Sequence, residues 1–389
     1  MQLAQRMSQL GTETAFEVLA KAKALEAQGK SIVHLHIGAP DFPTPDNIVE
    51  AGIKALRDGW HKYTPAKGIP ELREAVCEDI QRYRGAEVSP DNVLIVPGGK
   101  PTMFYAILMF GEPGAEILYP NPGFPIYESL IKWSGAKPVP IELTEESGFS
   151  FSAERVLEKI TPRTRLLIIN TPANPTGGIL PRAELDALVK GLEAHPHVTI
   201  LCDEIYSRLL YDGEEHVSIL QYPEVRDRAI MLDGWSKTYG MTGWRLGYGV
   251  WPESLVAQAE RLQINSTSCP NAATQVAAIE ALRGPQDAVD EMCRAFDERR
   301  KIIHAELNAI PGFSCVMPKG AFYAFPNTSG TGISSRELED RLLNEAGVAC
   351  LSGTSFGALG EGYLRFSYAN SIDNIREGLH RVRECLQPA

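Results

Sequence analysis

Six short apolar runs, each the length of a β-strand, recur along the chain and are separated by segments of helical length. They are NVLIV (92–96), EILYP (116–120), RLLIIN (165–170), VTILCDE (198–204), AIMLD (229–233) and GYGVW (247–251). Strands that alternate with helical segments predict a mainly parallel α/β sheet covered by helices on both faces. Ligands of such sheets bind beyond the carboxyl ends of the strands, so the residues after each run are the candidates for a functional site.

The pattern changes after residue 251. Three helical patterns follow, at 252–263, 270–283 and 286–309. Short β-like segments then alternate with a helical one, and a last helix ends the sequence. We therefore predict a large domain at 46–285 and a smaller α+β domain at 286–389, with residues 1–45 packed against the smaller domain.

Composition and charge argue against several classes of function. The chain has 389 residues, of which 44% are hydrophobic and 22% charged, as is usual for a globular protein. The net charge of −11 argues against nucleic acid or an anionic membrane as a partner. No apolar run has the length of a membrane-spanning helix, and the N-terminus lacks the apolar core of a signal peptide.

The cysteines and histidines predict no metal site. The seven cysteines are scattered, odd in number and without a CxxC spacing, so they predict no disulfide framework either. HLH (34–36) and HPH (195–197) lack partners at the spacing of metal ligands. We therefore expect a cytoplasmic protein whose thiols are reduced.

Three loops after predicted strands combine glycine, proline and polar residues. In PGGKPTMFYAI (97–107) two glycines precede a predicted helix, where free backbone N–H groups suit a phosphate, although an ordinary tight turn has the same pattern. Phe124 offers a flat apolar face to a ligand, or else it belongs to the core. Asn174, in TPANPTGGIL, can hydrogen-bond a ligand or cap the following helix.

Charged groups follow the other strands. Asp203 and Glu204 come directly after a buried strand, where a carboxylate needs a cation or a strong donor, and Tyr206 follows within reach of the same ligand. Lys237 lies among small and aromatic residues, a setting that favours an altered pKa and covalent chemistry; a lysine with its stem packed and its head in water is the alternative. Arg365 alternates with apolar residues in YLRFSYA and can therefore point into a cleft.

Together with Arg245, these groups form the set that pyridoxal 5′-phosphate needs: a phosphate cradle, an aromatic plate, an amide, a carboxylate, a phenol, an amine and two arginines. The sequence resembles the class I and II aminotransferases, the fold type I pyridoxal-phosphate enzymes related to aspartate aminotransferase. The resemblance rests on GAPDFPTP, YTPAKGIPELREAV, GGK, NPGFPIY, NPTG, DEIY, SKTYGMTGWRLG and YLRFSYA, which occur in the family's order.

The resemblance implies roles around the cofactor ring. Lys237 resembles the lysine that forms the Schiff base, and Asp203 matches the acid that keeps the pyridinium nitrogen protonated. Tyr206 and Asn174 match the groups that hydrogen-bond the 3′-oxygen of the ring. Phe124 matches the aromatic residue that stacks on the ring.

The resemblance also implies how the phosphate is bound. The backbone N–H groups of Gly99 and Lys100, with Arg245, match the phosphate cradle, and Ser236 is expected to bind the cofactor as well. Tyr63 resembles the tyrosine that reaches the phosphate from the partner subunit, so a homodimer with shared active sites is expected.

Substrate groups are implied in the same way. Arg365 matches the arginine that clamps the α-carboxylate of the substrate, and Gly38 lies where a backbone group helps to seat that carboxylate. Lys100 matches a lysine that reaches a side-chain carboxylate, and Phe124 and Asn174 line the same space. We therefore expect aspartate or glutamate as a substrate, with aromatic amino acids also permitted.

The implied reaction is a ping-pong transfer of an amino group from an L-amino acid to a 2-oxo acid through a Schiff base. The same residues would serve a β-lyase acting on a cysteine conjugate, or a synthase acting on an activated methionine. A non-catalytic cofactor-binding regulator would carry a DNA-binding domain before residue 40. The first thirty residues are too few and not basic enough for that alternative.

Overall fold

The computed structural model describes residues 2–387 and contains both strands and helices in the alternation that the sequence predicts. The strands are β1 (Val33–His34), β2 (Val93–Val96), β3 (Glu116–Asn121), β4 (Lys137–Glu142), β5 (Thr164–Asn170), β6 (Thr199–Asp203), β7 (Ala229–Gly234), β8 (Gly247–Val250), β9 (Tyr323–Ala324), β10 (Val348–Ala349), β11 (Leu351–Ser352) and β12 (Leu364–Ser367).

The helices cover the sheet or pack around the C-terminal part. They are α1 (Thr14–Glu26), α2 (Asp46–Arg57), α3 (Pro70–Arg84), α4 (Lys100–Phe110), α5 (Pro125–Ser134), α6 (Ala153–Glu158), α7 (Arg182–Leu192), α8 (Trp235–Thr238), α9 (Glu253–Ser266), α10 (Ala272–Arg283), α11 (Asp287–Asn308), α12 (Ser335–Arg341) and α13 (Ile372–Leu386). Within residues 2–387, no helix is both long enough and apolar enough to cross a membrane.

A seven-stranded sheet of order β2-β8-β7-β6-β5-β3-β4 forms the centre of the fold. Its strands run parallel except β8, which is antiparallel to both of its neighbours. All six predicted runs are strands of this sheet, so the α/β prediction is confirmed. The seventh strand, β4, was missed because its sequence KPVPIE carries two prolines, which are tolerated at the edge position that it occupies.

Successive residues of the central strands face opposite sides of the sheet, and both sides are covered. On β6, Ile200 and Cys202 pack into one hydrophobic cluster, whereas Leu201 packs into the other. This arrangement buries all five residues of β6. It also explains why three consecutive apolar residues, at 200–202, precede Asp203, because the middle of the strand is covered on both faces.

The C-terminal part contains a small antiparallel sheet of order β11-β12-β9. From the N-terminal segment, β1 pairs in parallel with β10, through Val33 opposite Val348. Arg365 belongs to the middle strand of the small sheet, and β1 leads directly to Gly38, so both reach the central cavity from this side. The domain limits at 45/46 and 285/286 stay a prediction.

Candidate active site

A cavity of about 540 Å³ lies at the carboxyl ends of β5, β6 and β7. It collects eleven of the twelve residues predicted for the site: Gly38, Gly99, Lys100, Phe124, Asn174, Asp203, Tyr206, Ser236, Lys237, Arg245 and Arg365. The remaining one, Tyr63, lies outside the cavity and is 90% exposed. Its expected place in a partner subunit's site stays a prediction.

Lys237 lies in the short helix α8, three residues after the end of β7. Its Nζ donates a hydrogen bond to the backbone oxygen of Gly38 and lies 5.9 Å from the ring centre of Tyr206. Burial, with a smaller effect of the Arg365 charge, lowers the pKa of Lys237 to about 8. About a tenth of this amine is therefore neutral at pH 7 and about half at pH 8, and the neutral form is the one that acts as a nucleophile or a base.

Asp203 is the last residue of β6 and is buried. One carboxylate oxygen accepts a hydrogen bond from the Tyr127 hydroxyl at 2.6 Å, and the other accepts a longer one, at 3.3 Å, from the Ile205 N–H. Burial raises the pKa of Asp203 to about 6 against these two hydrogen bonds. Because no Lys or Arg of the described residues forms an ion pair with it, Asp203 would gain from a cationic ligand.

Arg365 is 3% exposed and lines the cavity from β12, the middle strand of the small sheet. Its guanidinium donates to the side-chain oxygen of Asn174 at 2.9 Å and to the backbone oxygen of His36 at 2.6 Å. Its carbon lies 4.4 Å from the ring centre of Tyr323. Among the residues that the structure describes, no carboxylate pairs with it, and its buried Nε has no hydrogen-bond partner.

The hydroxyl of Tyr206 lies 2.8 Å from that of Tyr323, so these two phenols are hydrogen-bonded to each other. Tyr206 therefore reaches the cavity with its orientation fixed by a neighbour that also supports Arg365. The backbone N–H of Asn174 is bound by the side chain of Asn170, the last residue of β5, at 3.0 Å. Both polar groups expected at the ring oxygen are thus held by further side chains.

The N-terminus of α4 forms a crowded, glycine-lined corner. A Cβ added at Gly98, whose φ is +82°, would lie 2.2 Å from a guanidinium nitrogen of Arg245. One added at Gly247 would lie 2.6 Å from the backbone nitrogen of Gly99. Close approach to the backbone therefore requires glycine at position 247, whereas the positive φ favours glycine at position 98. The start of α4 thus has backbone N–H groups beside an arginine, an arrangement that binds anions.

Lys100, the first residue of α4, extends over the ring of Phe124 at 5.5 Å. Its ammonium forms an ion pair with the carboxylate of Glu13, which precedes α1. Glu13, with Thr14, Ala15 and Phe16, lines the cavity from the N-terminal segment. The sequence predicted that this segment packs against the smaller domain, but it did not predict that the segment lines the cavity.

A buried ion-pair network lies next to Asp203. Arg84 donates to Glu204 at 2.9 Å and to Ser207 at 2.9 Å, and it also pairs with Asp233. Burial by itself would raise the pKa of Glu204, but the charges of His216 and Arg84 lower that pKa to about 2. The second acid of the DE pair is therefore an internal partner of Arg84, so Asp203 alone faces the cavity.

Sequence reasoning missed three groups of the site. Tyr127 lies one helical turn after Phe124 in the quoted NPGFPIY, and that spacing was the available signal. Tyr323 lies in a predicted strand without a polar neighbour, so nothing in the sequence distinguished it from a core aromatic residue. Glu13 is distant in sequence from every motif, and its contact with Lys100 is tertiary.

Comparisons with known proteins agree with this geometry. The family model described as aminotransferase class I and II matches residues 30–382. The chain is 40% identical over 386 residues to an aspartate aminotransferase of Bacillus sp. (strain YM-2), and the alignment covers 98% of both chains. It is 39% identical to the aromatic-amino-acid aminotransferase 2 of Thermococcus litoralis, with 93% of each chain covered. The crystal structure of the Rhizobium meliloti aspartate aminotransferase superposes with a TM-score of 0.95 at 35% identity, covering 99% of both chains.

Proposed function

Because this chain belongs to the class I and II aminotransferase family, we propose that Lys237, Asp203 and Arg365 carry out amino-group transfer in the cavity described above. The chain is an aminotransferase of the aspartate and aromatic type, as the sequence predicted, and its family depends on pyridoxal 5′-phosphate. The observation that carries the residue roles is the meeting of a buried amine, a buried acid and an unpaired buried arginine in one cavity.

The residues present fit pyridoxal phosphate. The backbone N–H groups of Gly99 and Lys100 at the start of α4, together with Arg245, would bind its phosphate, because all three residues line the cavity. Asp203 would hold the protonated ring nitrogen with the carboxylate that Tyr127 orients. Tyr206, whose hydroxyl is positioned by Tyr323, would bind the ring oxygen together with Asn174, and Ser236 lies beside the same wall.

When bound, the cofactor supplies an electron sink for the electron pair of the substrate's Cα–H bond. Lys237 takes the proton from Cα, since its Nζ has a lowered pKa and is therefore available as a neutral base. The negative charge of Asp203 would stabilise the positive charge of the protonated ring nitrogen. Its burial makes that interaction stronger than it would be in water.

Arg365 binds the α-carboxylate of the substrate. Its guanidinium is held flat between Asn174 and the His36 carbonyl, so it is oriented before substrate arrives. A carboxylate bound by two parallel hydrogen bonds has a fixed direction, and this direction presents the Cα–H bond to Lys237. Aspartate and glutamate are the proposed substrates, because the cation of Lys100 lines the same cavity as Arg365 and would bind a second carboxylate.

We also propose a homodimer in which Tyr63 reaches the phosphate of the partner subunit. This proposal is supported by the 90% exposure of a tyrosine that the family resemblance assigns to the phosphate. The cytoplasm is the proposed location, in keeping with seven cysteines that are scattered along the sequence.

A panel of half-reactions tests the function. Holoenzyme is mixed with one L-amino acid at a time, and the change in the cofactor's absorbance is followed together with the product. Aspartate or glutamate is expected to react fastest and to yield the matching 2-oxo acid. Release of ammonia and pyruvate from a cysteine conjugate, without reaction of aspartate or glutamate, would instead support the β-lyase.

Two variants test the residue roles in the same panel. Lys237→Ala is expected to abolish turnover with every amino acid while the cofactor still binds noncovalently. Arg365→Ala is expected to weaken all amino acids by about 10²-fold, the scale of a lost charged hydrogen bond. Borohydride reduction of the wild type has to label the peptide that contains Lys237; a label elsewhere would overturn its assignment.

A further inference from the structure

The cavity contains a carboxylate, that of Glu13, which is paired with Lys100. We propose that Glu13 competes with the side-chain carboxylate of an acidic substrate for Lys100, and so sets the preference between acidic and apolar amino acids. This inference rests on the proposed function, in which Lys100 faces the substrate side chain. It assigns a specificity-determining role to the N-terminal segment.

Glu13 is placed to be a ligand of Lys100 and has no local structural role. It is the residue before α1, where a side chain often caps the helix, yet its carboxylate makes no capping hydrogen bond to α1. The carboxylate instead crosses to the first residue of α4, 87 positions away in the sequence. Its side chain is 19% exposed, against 48% for Lys100, so the acid is the more enclosed partner of the pair.

The charge of Glu13 also reaches the two cationic groups deeper in the cavity. Burial and the charge of Arg365 lower the pKa of Lys237, and the charge of Glu13 acts in the opposite direction. Glu13 acts in the same sense on the pKa of Arg365, which burial lowers. Among the described residues that line the cavity, the carboxylates are Glu13 and Asp203, and Asp203 is held by Tyr127. Glu13 is therefore the acid nearest to the side-chain end.

Two arrangements of the pair follow from these contacts. With Glu13 bound to Lys100, the ammonium of Lys100 carries no unpaired charge, and the apolar residues Phe16, Met103 and Phe124 line the same cavity. An apolar side chain fits that state without leaving a cation unpaired. An acidic side chain can bind Lys100 only after Glu13 has left it, so acidic substrates lose part of the binding free energy to this exchange.

The N-terminal segment can release Glu13 at low cost because little of it is buried. In α1 the buried residues are Val18 and Ala22, and the preceding turn at Gln5–Gln9 has none. Phe16, which lines the cavity, is 65% exposed. A segment with so few buried contacts opens more easily than the sheet beneath it.

The test compares Glu13→Gln with a matched control in the same segment. Glu17→Gln removes the same charge one helical turn later, from an exposed residue outside the cavity lining. Binding of succinate and of 3-phenylpropionate to each holoenzyme is measured by titration of the cofactor absorbance. Glu13→Gln is expected to shift the ratio of the two dissociation constants in favour of succinate by about fivefold, and Glu17→Gln is expected to leave the ratio unchanged.

A second experiment, in the Lys100→Ala variant, shows whether Glu13 and the ligand compete for Lys100. In Lys100→Ala, the additional change Glu13→Gln is expected to shift the ratio by less than about twofold. An equal effect of Glu13→Gln on both ligands, or a shift that persists without Lys100, would overturn the inference. Failure of the wild-type holoenzyme to react with any amino acid would instead count against the proposed function, so the two outcomes are distinct.

Discussion

Burial lowers the pKa of the Lys237 amine and so makes the amine more reactive. Because its pKa is lowered to about 8 from an unfolded value of about 10.4, the neutral fraction of the amine rises as pH rises through 8. Capture of pyridoxal phosphate by the cofactor-free protein, measured as borohydride-stable label, is therefore expected to accelerate about tenfold from pH 7 to pH 9 and then level off. Lys237→Ala should show no label in the same assay, and a flat pH profile would contradict the assignment.

The buried position of Asp203 costs stability when its carboxylate is charged. Its pKa is raised to about 6, above its unfolded value of about 3.9, so the folded protein favours the protonated form. Between these two values the folded state binds more protons than the unfolded state. Stability is therefore lost as pH rises from about 4 to 6, and the loss is complete above pH 6.

Asp203→Asn tests this account with opposite effects on activity and stability. Turnover is expected to fall by 10²-fold or more, an order of magnitude typical of a lost electrostatic partner at a reacting group. The cofactor-free variant is expected to be more stable than the wild type by about 1–3 kcal/mol at pH 7.5, with the difference vanishing near pH 4. Thermal unfolding at both pH values measures this, and an equal difference at both would contradict it.

At the scale of elements, the N-terminus of α4 depends on glycine for a steric reason. Gly98→Ala would place a Cβ 2.2 Å from the Arg245 guanidinium, so either that arginine or the loop has to move. We expect affinity for pyridoxal phosphate to fall by about tenfold or more, the scale of one charged hydrogen bond. Titration of the cofactor-free protein by absorbance measures the change.

Gly114→Ala is the matched control for this substitution. Gly114 has a φ of +93°, similar to the +82° of Gly98, but a Cβ added there meets nothing within 4 Å. Alanine at either position carries the same kind of backbone strain, whereas only Gly98 adds crowding at the proposed phosphate site. If both variants lose affinity equally, strain and not crowding is the cause.

For the whole molecule, the proposed dimer can be tested by complementation. Tyr63→Phe and Lys237→Ala chains are each expected to be impaired, the second completely. In a mixed dimer, the Tyr63→Phe chain keeps Lys237 and receives an intact Tyr63 from the Lys237→Ala chain. Mixed and refolded chains should therefore regain activity above that of either variant alone, up to one working site per dimer. A fully active monomer in sedimentation would contradict the shared site.

The sequence alone determined the class of fold and six strands of the central sheet, and it predicted eleven residues that line the cavity. Apolar runs followed by polar residues predict where a parallel sheet exposes functional groups, because each strand's carboxyl end reaches the same edge. Asp203 and Lys237 were found in this way, and the motifs assigned their roles by resemblance. The edge strand β4 was not predicted from the sequence, because its two prolines interrupt the apolar run that its neighbours have.

The tertiary structure decided the contacts that join distant parts of the chain. Tyr127 holding Asp203, Tyr323 holding Tyr206, and Arg365 resting on Asn174 all connect residues at least 76 positions apart. The pairing of Glu13 with Lys100 is of the same kind. No periodicity encodes such contacts, since local patterns report only which face of an element is buried. Which polar groups then meet inside the cavity depends on how the elements pack.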